Sequence, residues 1–114
     1  GDDLLVTNAA RVEEAARDKL ANCVLIKPNQ AGTITETKAA LDAAKARGLT
    51  TIISARSGES EDVTISHLAV GWNAGQFKVG SITRSERMAK WNEMLRLEDA
   101  SRARFAGRGV LKLK

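Results

Sequence analysis

The sequence predicts an α/β fold in which parallel strands alternate with helices, amounting to at most half of a β/α barrel. Four short β-rich runs, residues 4–7, 24–26, 51–54 and 76–79, are each followed by a segment of helical period. The units recur at a spacing that leaves room for one helix between strands, which implies parallel pairing through right-handed crossovers. With 114 residues, the chain is too short for a complete eight-fold barrel, which needs roughly 200 to 250.

The first helix is expected over residues 9–21, with Asn8 as N-cap and Val12, Ala16 and Leu20 on one face. Thr33-Ile34-Thr35-Glu36 matches a capping box and opens a second helix. Its apolar stripe is Thr37, Ala40, Leu41 and Ala44, and Gly48 suits the position just past its end. A third helix follows Ser60-Glu61-Asp62, whose acids suit the positive end of a helix dipole, and it should bury Ile65, Leu68, Ala69 and Trp72. The fourth begins near a second capping box, Thr83 to Glu86, and carries Met88, Trp91 and Leu95. Residues 1–100 thus read as one βα body and 101–114 as a basic, loosely held tail.

Composition narrows the function classes. The chain is 43% hydrophobic and 28% charged, an ordinary globular mixture that should bury a core. The net charge of +4 is explained by the tail, where Arg102, Arg104, Arg108, Lys112 and Lys114 stand without an acid. A nucleic-acid groove needs cations spread over one face and aromatics to stack bases, and only 4% of residues are aromatic. No nucleic-acid partner is therefore expected. Cys23 is the single cysteine and cannot form an internal disulfide; in the run 23–26 it reads as a buried reduced thiol, fitting a cytoplasmic protein. No run of about 18 apolar residues suggests a membrane span.

In parallel α/β proteins ligands meet the carboxyl ends of strands, so chemistry is sought where each apolar run stops. Asp2 and Asp3 precede the first run, Lys27 ends the second, residues 54–59 (Ser-Ala-Arg-Ser-Gly-Glu) follow the third, and Lys78 lies in the fourth. Lys27, Arg56 and Lys78 with a carboxylate pair suit a phosphorylated or carboxylated ligand beside a divalent metal. The plainer alternatives are a solvated terminus, snorkelling strand-end lysines and a surface ion pair. GxGxxG, Walker A and zinc patterns are absent, and Ser57 has no base placed for it by the sequence.

The strings GDDLLVTN, LIKPNQAGTITET, SARSGESED and GQFKVGSITRSER occur in the order and separations of enolase, phosphopyruvate hydratase, and resemble that family over about residues 1–100. The resemblance implies the C-terminal portion of a TIM-type β/α barrel belonging to a longer, dimeric glycolytic lyase. That enzyme dehydrates 2-phosphoglycerate to phosphoenolpyruvate with Mg2+. By the same resemblance Asp2 corresponds to a magnesium carboxylate, Lys27 to the base, Arg56 and Ser57 to phosphate contacts, and Lys78 to the cation holding the substrate carboxylate. Sites of this superfamily pair a lysine or histidine base with magnesium. Positive charge near such a lysine favours the neutral form that can accept a proton.

Where the family usually reads Ser-His-Arg-Ser-Gly-Glu, this chain has Ala55 in the histidine's place, which leaves open an enolase-like paralogue with another substrate. His67, the only histidine, falls in the third helix and reads as a surface residue. The resemblance also implies that further magnesium carboxylates lie elsewhere in the parent enzyme, so the 114 residues alone should be inactive. A non-catalytic alternative is a cell-surface role binding plasminogen through the lysines of Leu111-Lys112-Leu113-Lys114.

Overall fold

The computed structural model describes residues 1–111. In chain order it contains α1 (Asp2–Leu5), α2 (Ala9–Arg17), β1 (Cys23–Ile26), α3 (Pro28–Ala31), α4 (Ile34–Ala46), β2 (Thr50–Ser54), α5 (Thr64–Gly71), β3 (Gly75–Lys78) and α6 (Ser85–Ser101). A 3-10 turn, Gly107–Val110, follows. The strands form one open parallel sheet in the order β1-β2-β3, as the alternation of periods predicts. Lys112 and Lys114, on which the plasminogen alternative rests, lie outside the described residues.

Strand register divides the sheet into two chemically different faces. Val24 pairs with Thr51, and Ile26 aligns with Ile53 and Phe77. Side chains alternate along a strand, so this set faces the helices, where Val24, Ile26 and Ile53 are fully buried. Cys23, Leu25, Ile52 and Gln76 take the opposite face and are half-buried. Lys27 and Lys78 continue that second face past and at the strand ends, with Ser54 between them in register. The period of two therefore brings both lysines to one end and one face of the sheet.

The core lies between the sheet and its helices. On α4 the stripe Thr37, Ala40, Leu41 and Ala44 is completely buried, as its spacing predicts. The helix opens on half of the expected capping box: Thr33 Oγ1 accepts from the Glu36 amide at 3.1 Å, while the Glu36 carboxylate accepts from the Thr33 hydroxyl, at 2.8 Å, in place of its amide. Asn8 caps α2 through its side chain, accepting from the Arg11 amide at 3.1 Å. At the far edge, Phe77 meets Trp91 of α6 edge to face, with ring centroids 5.5 Å apart. Gly75 has φ 84, and a Cβ there would come 3.3 Å from Val110 Cγ1, so the 3-10 turn packs on the start of β3.

Several expected elements differ. Residues 4–7 are not a strand: α1 covers Asp2–Leu5, and Val6 and Thr7 follow in left-handed conformation at φ 42 and 54. Strand propensity measures fit to a half-buried pleated surface, and no strand pairs there among the described residues. The chain turns instead, sending Leu5 and Thr7 inward. The helix expected to reach residue 21 stops at Arg17; Ala15 is buried in place of Ala16, and Leu20 is exposed. The capping box at Thr83 does not form, because Arg84 occupies the cap position and Thr83 bonds Ser81 instead. Leu95 is exposed, whereas Lys90 is the buried residue of α6. Cys23 is half-buried rather than enclosed, 3.8 Å from the Gln76 amide nitrogen.

Candidate active site

The site is built where β1 ends. Lys27 follows Ile26, and Pro28 fixes the first position of α3, so the chain turns into a short helix directly after the lysine. This turn places Gln30 beside Lys27 and over the first turn of α1. A closed ring of hydrogen bonds results. The Lys27 amide donates to Thr7 Oγ1 at 2.9 Å, and Thr7 donates to Gln30 Oε1 at 2.8 Å. Gln30 donates to Asp2 Oδ1 at 2.6 Å, and the Lys27 ammonium donates to Asp2 Oδ2 at 2.5 Å. Both carboxylate oxygens of Asp2 are thereby occupied.

Burial of the pair is unequal: the Lys27 side chain is 10% exposed and that of Asp2 39%. The ammonium hydrogen bond from Lys27 holds the Asp2 carboxyl below its usual range. Burial opposes this, while Gln30 and the positive charges of Lys27 and Lys78 reinforce it. Lys78 thus acts on Asp2 electrostatically, although the two are 76 residues apart in the sequence.

Arg56 and Ser57 leave the carboxyl end of β2 and separate two depressions. One, an open cleft of about 420 Å³, also exposes Asp2, Asp3, Lys27 and Gln30. The other, about 250 Å³, holds Ala55, Lys78, Arg87 and Lys90. Arg56, Ser57 and Lys78 are exposed and have no side-chain hydrogen-bond partner among the described residues. The five expected site residues therefore gather on one rim in two linked groups, Asp2 with Lys27 and Lys78 with Arg56 and Ser57. The two depressions together carry six basic and four acidic side chains, and among the described residues Arg56 and Lys78 are left without an acidic partner, which suits an anionic ligand. His67 is elsewhere, on the outer surface of α5, 3.0 Å from Glu93.

A model of the family described as enolase, C-terminal TIM barrel domain, matches residues 1–114. The chain belongs to the enolase C-terminal TIM barrel family. It is 54% identical over 112 residues to Enolase 1 of Desulfitobacterium hafniense (strain Y51). The match covers 96% of the chain and 26% of that relative, so the chain spans about a quarter of its length. The open three-stranded parallel sheet is accordingly part of an enolase barrel.

The magnesium expectation meets a limit in this enolase segment. Among the described residues no group of three or more His, Cys, Asp or Glu side chains is placed to hold a metal ion. Magnesium requires near-octahedral oxygen ligation, and the Asp2 oxygens already serve Lys27 and Gln30. These residues by themselves do not fit the ion. Among the described residues no helix is long and apolar enough to cross a membrane.

Gln30 and Lys90 escape a reading by strand ends, and Thr7, the last residue of the first run, is passed over there for Asp2 and Asp3. Thr7 and Gln30 complete the ring around Asp2, and the signal for Gln30 was the Lys-Pro pair, which starts a new helix with Gln30 in its first turn. Lys90 gave no such signal, since a lysine in an amphipathic helix reads as solvent-facing.

Proposed function

We propose that these residues form the C-terminal part of the active-site rim of a phosphopyruvate hydratase, which dehydrates 2-phosphoglycerate to phosphoenolpyruvate in glycolysis. The observation that supports this best is the placement of Lys27 at the end of β1, bonded to Asp2 and facing the same cleft as Arg56 and Ser57, in a chain that matches the enolase barrel throughout. In this reading Lys27 takes the proton beside the substrate carboxylate. Arg56 and Ser57 hold the phosphate, and Lys78 offsets the negative charge that builds on the carboxylate as carbon loses its proton. In the parent enzyme Asp2 would supply one carboxylate to magnesium after giving up its bonds from Lys27 and Gln30, and the other carboxylates would come from barrel segments outside these 114 residues. The cytoplasm is the compartment, and a homo-oligomer the expected assembly.

The reading is tested by exchange of the substrate's carbon-bound proton with solvent deuterium in the full-length enzyme and in Lys27→Ala. Exchange should be lost in the variant while substrate still binds. Exchange that persists would remove Lys27 as the base. The 114-residue polypeptide assayed alone should show no dehydration.

A further inference from the structure

Segment 56–63 carries Arg56 and Ser57, yet little in the segment itself holds it still. Gly58 sits at φ 81 with open space around it. The side-chain hydrogen bonds formed within the segment are local: Glu59 accepts from the Ser60 amide, Ser60 from that of Asp62, and Asp62 from that of Thr64. Among the described residues, one hydrogen bond reaches the segment from a distance. The Lys90 ammonium donates to the Ser60 carbonyl at 2.7 Å.

Lys90 is poorly explained as a surface lysine. It is 2% exposed, the most voluminous of the fully buried side chains, on a helix otherwise half-buried or exposed. Burying an ammonium is costly unless it is hydrogen-bonded. Here its donors meet the Ser60 carbonyl and, at 3.0 Å, the Glu86 carbonyl one turn earlier in α6. The Lys90 carbonyl accepts from Ser66 Oγ of α5 at 3.1 Å, which fixes the helix at that point. The same ammonium helps hold the Asp62 carboxyl below its usual range, after the larger effect of the Thr64 hydrogen bonds. Lys90 also borders the depression that contains Arg56, Ser57 and Lys78.

We propose that Lys90 is a positioning residue: its buried ammonium ties the backbone of segment 56–63 to α6 and thereby sets where Arg56 and Ser57 meet the phosphate of the ligand. The ligand's identity rests on the function proposed above; the tether does not. Lys90 touches no reacting atom and acts through the loop.

The test compares full-length enzyme with Lys90→Met, which retains the buried stem and removes the donors. Amide hydrogen exchange at residues 57–62 should accelerate about tenfold or more while β2 is unchanged, as local opening without global unfolding requires. The dissociation constant for inorganic phosphate and KM for 2-phosphoglycerate should both rise about tenfold, with kcat changing less than about threefold, the pattern of lost ground-state binding. Lys90→Gln, which keeps a neutral donor on a shorter stem, should shift exchange and phosphate affinity in the same direction by a smaller factor, and serves if Lys90→Met does not fold. Unchanged exchange at 57–62, acceleration shared equally by β2, or faster exchange with unaltered phosphate affinity would each overturn the proposal. A wild-type enzyme without dehydratase activity would instead overturn the functional reading, and loop exchange with phosphate affinity would still decide the role of Lys90.

Discussion

The Lys27 ammonium and the Asp2 carboxylate lie 2.5 Å apart, in segments separated by 25 residues, and the lysine is much the more buried of the two. The pair closes the first turn of α1 onto the end of β1. An ammonium has no lone pair for a proton, so in the proposed role Lys27 must first give up a proton, and with it this hydrogen bond, before it can act as a base.

The pair predicts a particular acid titration. With Asp2 held below the ordinary carboxylate value of about 3.9, its native form binds fewer protons than its unfolded form near pH 4. The stabilisation is therefore present above the unfolded value and is lost as pH falls through the lowered native one. Asp2 is more than a third exposed, so solvent screening limits the effect to about 1 kcal/mol or less. Carboxyl NMR should place the Asp2 midpoint below the ordinary aspartate value, and Lys27→Met should raise it. An unmoved midpoint would mean that the contact is not maintained in solution.

Arg56→Ala should weaken phosphate binding by about 1.5 to 3 kcal/mol, the loss of one charge-assisted hydrogen bond. The arginine is exposed and has no protein partner among the described residues, so little of this loss should appear as instability. Competition by inorganic phosphate and thermal melting of the full-length enzyme separate the two effects. A large fall in Tm with unchanged affinity would contradict the assignment.

Ala55→His restores the imidazole that the enolase resemblance leads one to expect. Ala55 packs against the core on one side and borders a depression of about 250 Å³ on the other, giving a larger side chain somewhere to go. In the full-length enzyme the substitution should raise the rate on 2-phosphoglycerate. No change or a loss in that activity, with turnover of another hydroxy acid by the unsubstituted enzyme, would favour the paralogue reading.

Local period and caps could be read from the sequence on α4 and at the start of α2, but not at Thr83 or through Leu20 and Leu95. On α4, Thr33 and Glu36 mark the start, and the stripe from Thr37 to Ala44 is fully buried. The lysines at the ends of β1 and β3 were legible because alternation along a strand fixes the face of each side chain. Residues 4–7 were not, since Val and Thr favour strands only where another strand receives them, and here Thr7 is used to bond Lys27 and Gln30. Lys90 was hidden for a related reason: its burial is made tolerable by carbonyls, one of them 30 residues away at Ser60, which no helical pattern reports.

Leu41 tests the core that carries the rim. It is fully buried on α4, which packs against α2, β1 and β2, so Leu41→Ala leaves a cavity that its neighbours can only partly fill. A loss of about 2 to 5 kcal/mol is expected in denaturant unfolding of the full-length enzyme. The exposed Leu20→Ala should cost less than about 0.5 kcal/mol under the same conditions. Equal effects at the two sites would contradict the packing described.

The isolated 114-residue polypeptide should self-associate. Among the described residues β1 and β3 are each paired on one side only, leaving two strand edges with unpaired backbone groups. Parallel sheets are stable when both faces are covered, and here the longer helices cover one while α1 and α3 reach only the Lys27 end of the other. The other face offers Leu25 and Ile52, both half-buried, while Leu4, Ile82 and Phe105 stand exposed elsewhere on the surface. A second copy applied to the open face would withdraw apolar area from water at about 25 cal/mol per Å², and a two-fold arrangement would satisfy both copies at once. Sedimentation equilibrium at tens of micromolar should therefore give a mass above 12.3 kDa that falls on dilution. Ile52→Lys, which places a charge on the open face without touching the helix-covered core, should shift the equilibrium toward monomer. A sharply melting 12.3 kDa monomer, unaffected by Ile52→Lys, would show that these elements close their own core and that the open face needs no partner.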